Sequence, residues 1–137
     1  MSNEIEQSLF KAAIQLIERR YPIGWGGAAA IRTASGKILT SVAPDTKNDG
    51  LSLCMEVGSI LEAHKLDEDV THSLCICRES EHEPYLILTP CGICQERLVH
   101  WGGGVMAAIS NADNKLVFKS LRELQPHHWS IVNGKAL

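Results

Sequence analysis

Cys54-Met55-Glu56 and Pro90-Cys91-Gly92-Ile93-Cys94 are the two stretches on which the reading of this 137-residue chain turns. Between them they supply three thiols and one carboxylate. Three thiolates suffice for a catalytic zinc, which takes three protein ligands in a tetrahedral site and keeps the fourth position for water, whereas a structural zinc takes four. A glutamate two residues after the first thiol can project beside such a metal without binding it and carry protons. The sequence leaves a closed site open as the alternative, with a fourth ligand from His64, His72 or Cys75.

Outward from these motifs the periodicity alternates between helix and strand. Val57, Ile60, Leu61 and His64 continue a helical pattern from Cys54 to about Leu66, and Ile93, Arg97, Leu98 and Trp101 continue another from Cys91 to the Gly102-Gly103-Gly104 break. Each motif is therefore expected to open a helix, where the positive end of the dipole and free backbone N–H groups stabilise thiolates. Ile5, Leu9, Ala12, Ala13, Leu16 and Ile17 predict an amphipathic first helix over residues 3–20, stopped by Tyr21-Pro22. A hairpin of two strands is expected from Gly26 to Val42 around the Ser35-Gly36 turn. Pro44 to Gly50 is a polar loop placed to wall a pocket. Further strands are predicted at 70–78, Tyr85 to Leu88, Val105 to Ile109 and Leu116 to Phe118, and a short helix over Ser120 to Leu124. Strands interleaved with helices indicate an α/β sandwich, one sheet between helical layers.

The composition, 45% hydrophobic and 21% charged, is that of one compact domain spanning residues 1–137. A net charge of -3 with no basic run gives no electrostatic case for a nucleic-acid partner. No apolar stretch is long enough to cross a bilayer, and the first residues lack the order of a signal peptide, so no membrane partner and a cytoplasmic location are expected. Five cysteines, an odd number, fit a reducing compartment and metal ligation better than a disulfide framework. Cys75 and Cys77, two apart in a strand-like run, read as small buried core residues.

C-x-E followed by P-C-x-x-C is the constellation of zinc deaminases, in its all-cysteine version. The order of elements resembles the cytidine deaminase superfamily over nearly the whole chain, specifically the small-subunit tetrameric cytidine deaminases and their blasticidin-S deaminase relatives. Trp25-Gly26-Gly27-Ala28-Ala29-Ala30-Ile31 resembles the family's aromatic-x-V-G-A-A strand, Cys54-Met55-Glu56 its C-A-E, Pro90-Cys91-Gly92-Ile93-Cys94 its P-C-G-x-C and Leu121-Arg122-Glu123-Leu124-Gln125-Pro126 its late E-L-L-P. The resemblance implies a three-layer α/β/α fold with a five-stranded mixed sheet. It implies Zn2+ on Cys54, Cys91 and Cys94, proton shuttling by Glu56, and a homotetramer (or homodimer) whose active sites are completed across subunit contacts. It also implies hydrolytic loss of the exocyclic amine of cytidine or a related small-molecule nucleoside or base, with Trp25 as a stacking wall and Thr89 and Pro90 at the amino end of the pocket.

Two departures bear on the substrate and on charge. Where the family grips ribose with N-x-E, this chain has Ala43-Pro44-Asp45, which leaves Asp45 as the contact at that position and favours blasticidin S or another modified cytosine as the alternative. Where several members place an arginine to offset three thiolates, this chain has Val57 and Gln95, with Arg97 one turn past Cys94 as a substitute. A zinc-binding scaffold without catalysis is the rival from another class, and the unliganded Glu56 argues against it. His127 and His128 are expected on the surface.

Overall fold

The computed structural model describes residues 3–137. The uncharged run from Gly26 to Ile31 lies in β1 (Gly26–Thr33), a strand buried along almost its whole length and paired on both edges. One neighbour is β2 (Ile38–Ser41), reached by the tight turn at Ser35-Gly36, where Gly36 has φ +93°. The other is the antiparallel β3 (Val70–Arg78). The far edge of β3 is shared between two short strands: β4 (Leu86–Ile87) pairs antiparallel with Ile76 and Cys77, and β5 (Met106–Ala108) pairs parallel with His72 and Ser73. The antiparallel β6 (Phe118–Ser120) follows β5, giving the order β2-β1-β3-β5-β6 with β4 beside β3.

Strand alternation assigns the side chains to two cores. Ala28, Ala30, Leu74 and Ile76 point to one face, where Leu9, Ala13 and Ile17 of α1 (Glu4–Arg20) bury against them. Ile31, Leu39, Val70 and Val105 belong to the opposite core, with Ile60 and Ala63 of α2 (Val57–Leu66), Leu98 of α3 (Gly92–Leu98) and Leu121 of α4 (Leu121–Leu124). The result is the three-layer α/β/α sandwich with a mixed sheet. Among the described residues no helix is long and apolar enough to cross a membrane.

The mixed sheet has the expected five strands in its main order, and the two-residue β4 adds a sixth beside β3, taking part of the edge and leaving the rest to β5. Two expectations need adjustment. The last strand lies at Phe118–Ser120 rather than at Leu116 to Phe118, and Ser120 ends it as the N-cap of α4 in a capping box with Glu123. Cys54 lies three residues ahead of α2 instead of opening it, and Glu56 is the N-cap.

Candidate functional site

Two turns meet at the end of the sheet where β3 hands over to β4. The first, Cys54 to Glu56, leads into α2; in the second Cys91 is the N-cap of α3 and Cys94 lies within its first turn. The Sγ atoms of Cys54, Cys91 and Cys94 all lie within 4.8 Å of one another, with Cys54 and Cys91 3.3 Å apart. A metal bound tetrahedrally by sulfur at about 2.3 Å needs S···S separations of about 3.8 Å, so this group can hold a metal ion after only slight adjustment.

None of the candidates for a fourth ligand joins the three. The ring of His64 packs between His100 and Trp101, at 4.8 and 4.7 Å. His72 shares a 2.8 Å hydrogen bond with Thr71 Oγ1. Cys75 is buried and faces the site but stands outside the cluster.

The electrostatics are those of acidic groups set so close that each opposes the ionisation of the next. Burial pushes the Cys94 thiol far up, and the nearby charge of Glu56 pushes it further. The bond to Cys91 raises the Cys54 thiol, with burial adding to it. At Cys91 burial works in the same direction, but the backbone N–H of Cys94, the thiols of Cys54 and Cys94 and the backbone N–H of Ile93 outweigh it and hold this thiol below its ordinary value. A divalent cation would favour thiolate at all three, reversing the balance at Cys54 and Cys94 and adding to it at Cys91. Arg97 Nη1 lies 3.7 Å from Cys94 Sγ, so its charge sits where Val57 and Gln95 provide none.

Glu56 is 3% exposed, and its Oε2 lies 3.5 Å from Cys94 Sγ. The second thiol against this carboxylate is Cys75, whose own ionisation burial pushes far up, so it remains an S–H donor. Cys75 and Cys77 are buried, as their place in the strand predicts; the pleat of β3 sends Leu74 and Ile76 to the α1 side, and on the other side Cys75 also faces Glu56.

Beside these groups is a cavity of about 340 Å³, whose lining also includes Trp25, Ala43, Leu53, Met55, Leu88 and Thr89. Trp25 is half exposed and packs edge-on against Tyr21 at 5.8 Å. Gly27 belongs to its construction, because a Cβ there would stand 2.6 Å from Met55 Sδ and 2.9 Å from the Trp25 ring. Thr89 is fixed by reciprocal bonds: its N–H donates to Ser110 Oγ at 3.0 Å, and the Ser110 N–H donates to Thr89 Oγ1 at 2.8 Å. Pro90 is buried, and its carbonyl accepts from Gln95 Nε2 at 2.8 Å while Gln125 holds the other end of Gln95. Ser110, Gln125 and Asn114, which donates to Tyr85 O and accepts from the Ile87 N–H, carry no signal in the sequence because each acts on a strand or loop remote from it.

Asp45 is elsewhere. It forms a 2.9 Å ion pair with Arg20 at the end of α1 and does not line the cavity. His128, expected at the surface, is 4% exposed: Nε2 pairs with Glu96 Oε1 and Nδ1 with Ser130 Oγ, while the Trp129 indole donates to Glu96 Oε2 at 3.2 Å. The segment after α4 is thereby pinned to α3.

No protein-family model matches the chain, and no curated relative does. Solved structures do. A cytidine deaminase from Bacillus anthracis is 56% identical, over 96% of this chain and 94% of that one, with a TM-score of 0.94. Cytidine deaminases from Mycobacterium leprae and Burkholderia pseudomallei share the fold at 19% identity, each with a TM-score of 0.67, over 88% and 93% of this chain and 97% and 98% of theirs. With its fold and its cluster of three thiols beside a buried glutamate, the chain belongs to the cytidine deaminase family.

Proposed function

We propose that the protein is a zinc-dependent hydrolytic deaminase, a single domain that removes the exocyclic amine of cytidine or a related aminated nucleoside or base and releases ammonia. The observation that carries this reading is the Glu56 carboxylate, buried at the floor of an open cavity and turned toward three thiols that can share one ion. Cys54, Cys91 and Cys94 would hold zinc, whose Lewis acidity makes a water acidic near neutral pH.

Glu56 accepts a proton from the attacking water and delivers it to the ring nitrogen beside the reacting carbon. A second pass carries the remaining proton to the amine, which leaves as ammonia while the carbon keeps the water's oxygen as a carbonyl. Burial keeps the carboxylate from exchanging protons with bulk water between the two transfers. Trp25 offers a ring face for stacking. Thr89 and Pro90, held by Ser110 and Gln95, fix the amine end of the pocket. Arg97 offsets part of the thiolate charge.

A second reading of the substrate, a blasticidin-S-type modified cytosine, is favoured by the cavity's mouth. Ala43 lines it, and Asp45 is engaged by Arg20, so the segment presents an apolar surface to that part of a ligand. We further propose a homotetramer (or homodimer) acting in the cytoplasm, supported by the exposed Trp25, Leu53 and Ile93 close to the cavity and the metal turn. Metal analysis combined with ammonia release from cytidine, cytosine and blasticidin S tests the whole assignment. Close to one zinc per chain with turnover of one of these amines is expected, and a zinc-free protein silent toward all three would overturn it.

A further inference from the structure

Helix α2 begins on a residue that does not cap it. The first N–H groups of a helix have no partner within the helix, and the N-cap side chain normally accepts from the second or third of them. This chain follows that rule at α1, where Asn3 and Glu6 form a capping box, and at α4, where Ser120 and Glu123 do. At α2 the N-cap is Glu56, in helical backbone conformation, and its side chain makes no capping bond because the carboxylate is turned to the thiols.

The missing bond comes from the neighbouring strand. The N–H of Ser59, third residue of α2, donates to Ser41 Oγ of β2 at 3.1 Å. The Ser41 hydroxyl donates to the carbonyl of Met55 at 2.5 Å, and Ser59 Oγ lies 2.6 Å from Ser41 Oγ and 3.3 Å from the Leu39 carbonyl. A serine hydroxyl has one proton and two acceptor positions. With its proton on Met55 O, Ser41 accepts from the Ser59 N–H and keeps one acceptor position for the Ser59 hydroxyl, whose single proton is shared between Ser41 Oγ and the Leu39 carbonyl. Gly58 permits the approach, since a Cβ there would stand 2.9 Å from Ser41 Cβ.

We propose that Ser41 is a positioning residue for Glu56: it caps α2 from β2 and clamps the peptide immediately before Glu56, so that the carboxylate is released from capping and held at the thiol cluster. The inference rests on the reading of Glu56 as the proton carrier. Met55 O and Ser59 N–H bracket Glu56 on both sides, and one hydroxyl fixes them together. Misplacement of a reacting group by about 1 Å is enough for a large loss of rate, so the expected effect falls on turnover rather than on binding.

The test uses Ser41→Ala, with Ser41→Cys as a variant of near-native volume whose thiol is a weaker donor and acceptor. In Ser41→Ala, amide exchange at Ser59 should accelerate at least about tenfold, kcat for ammonia release from cytidine or cytosine should fall at least about tenfold, and KM should stay within about threefold. Metal content should be unchanged, and Ser41→Cys should fall between. Unchanged exchange at Ser59 would show that the cap does not exist. Faster exchange with unaltered kcat would show that it does not position Glu56. Failure of both variants to fold would make the contact a stability device and overturn the proposal. Wild-type protein inactive on blasticidin S as well as on cytidine and cytosine would defeat the deaminase reading and the positioning role with it, while the exchange result still decides the cap; turnover of blasticidin S alone would move the kcat and KM comparison to that substrate.

Discussion

The floor of the cavity and its mouth are built from adjacent segments, yet the floor is tied by hydrogen bonds from several directions while the mouth consists largely of apolar side chains with little to restrain them. On the floor, Cys91 receives backbone N–H groups, the Pro90 carbonyl is held by Gln95, Thr89 is locked to Ser110, and the turn before Glu56 is clamped by Ser41. At the mouth, Trp25 and Leu53 are each about half exposed. The segment after Ala43 is tethered by the Arg20–Asp45 pair, whose two side chains are 47% and 81% exposed, and such solvated pairs contribute little. Proton transfer needs donors and acceptors held to a fraction of an ångström, whereas stacking and apolar contact tolerate displacement. On the proposed function, the contrast assigns the chemistry to the floor and the choice of substrate to the mouth.

The largest effect expected from breaking the floor is that of Glu56→Gln. Glutamine keeps the size and one hydrogen-bonding oxygen but cannot accept and return a proton near neutral pH. General acid–base help is worth up to about ten-thousand-fold, and two transfers in one cycle place the loss at or above that figure. Metal content and folding should stay near normal; an active, metal-replete variant would refute the shuttle. Next comes removal of a ligand. If the three thiolates share a binding free energy of about 10–16 kcal/mol, Cys94→Ala costs about 3–5 kcal/mol, about 150- to 5,000-fold in metal affinity. Competition with a chelator measures this, and stoichiometric zinc retained in both Cys91→Ala and Cys94→Ala would remove the site.

What the sequence made legible follows the same division. Cys54, Glu56, Cys91 and Cys94 lie in two local turns, so their spacing alone announces a set of three thiols and an acid, and the alternation of the strands announces the layers. Contacts made across elements left no such trace. Ser41 is an ordinary strand serine until β2 is laid beside α2, and Cys75 reads correctly as buried while its neighbour Glu56 shows only once β3 is in place. His128 reads as solvated until α4 returns the chain to Glu96. β4 has two residues, too few for any period to show, and so the way it divides the edge of β3 with β5 was invisible. Asp45 was tied to the substrate by resemblance, and nothing local signalled that Arg20 would take it.

At the mouth the expected effects are smaller. Ala43→Asn places an amide on the cavity wall, and one new hydrogen bond to a sugar hydroxyl is worth about 0.5–1.5 kcal/mol, or about two- to tenfold in kcat/KM. Cytidine should gain by that factor relative to cytosine, which has no sugar. An equal change for the two substrates, or none, would mean that this segment does not face the sugar.

The smallest effect concerns the clasp between α3 and the segment that follows α4. The Trp129 indole N–H and His128 both bond to the Glu96 carboxylate and hold it below the usual carboxylate range. A carboxylate with a depressed folded-state pKa contributes stability that is present above its unfolded value, near 4.3, and is lost as pH falls through the lower folded value. Glu96 is 44% exposed at its side chain, so solvent screening reduces the contribution to about 0.5 kcal/mol or less. Glu96→Gln keeps an acceptor for Trp129 but not the charge. It should lower Tm by about 1–3 °C at pH 7 for a domain of this size, and the gap to the wild type should narrow steadily as the pH is taken from 5 toward 3. A gap that stays constant over that interval would mean that the carboxylate charge plays no part and that the clasp is held without it, by the buried His128 and the hydrogen bonds at Glu96.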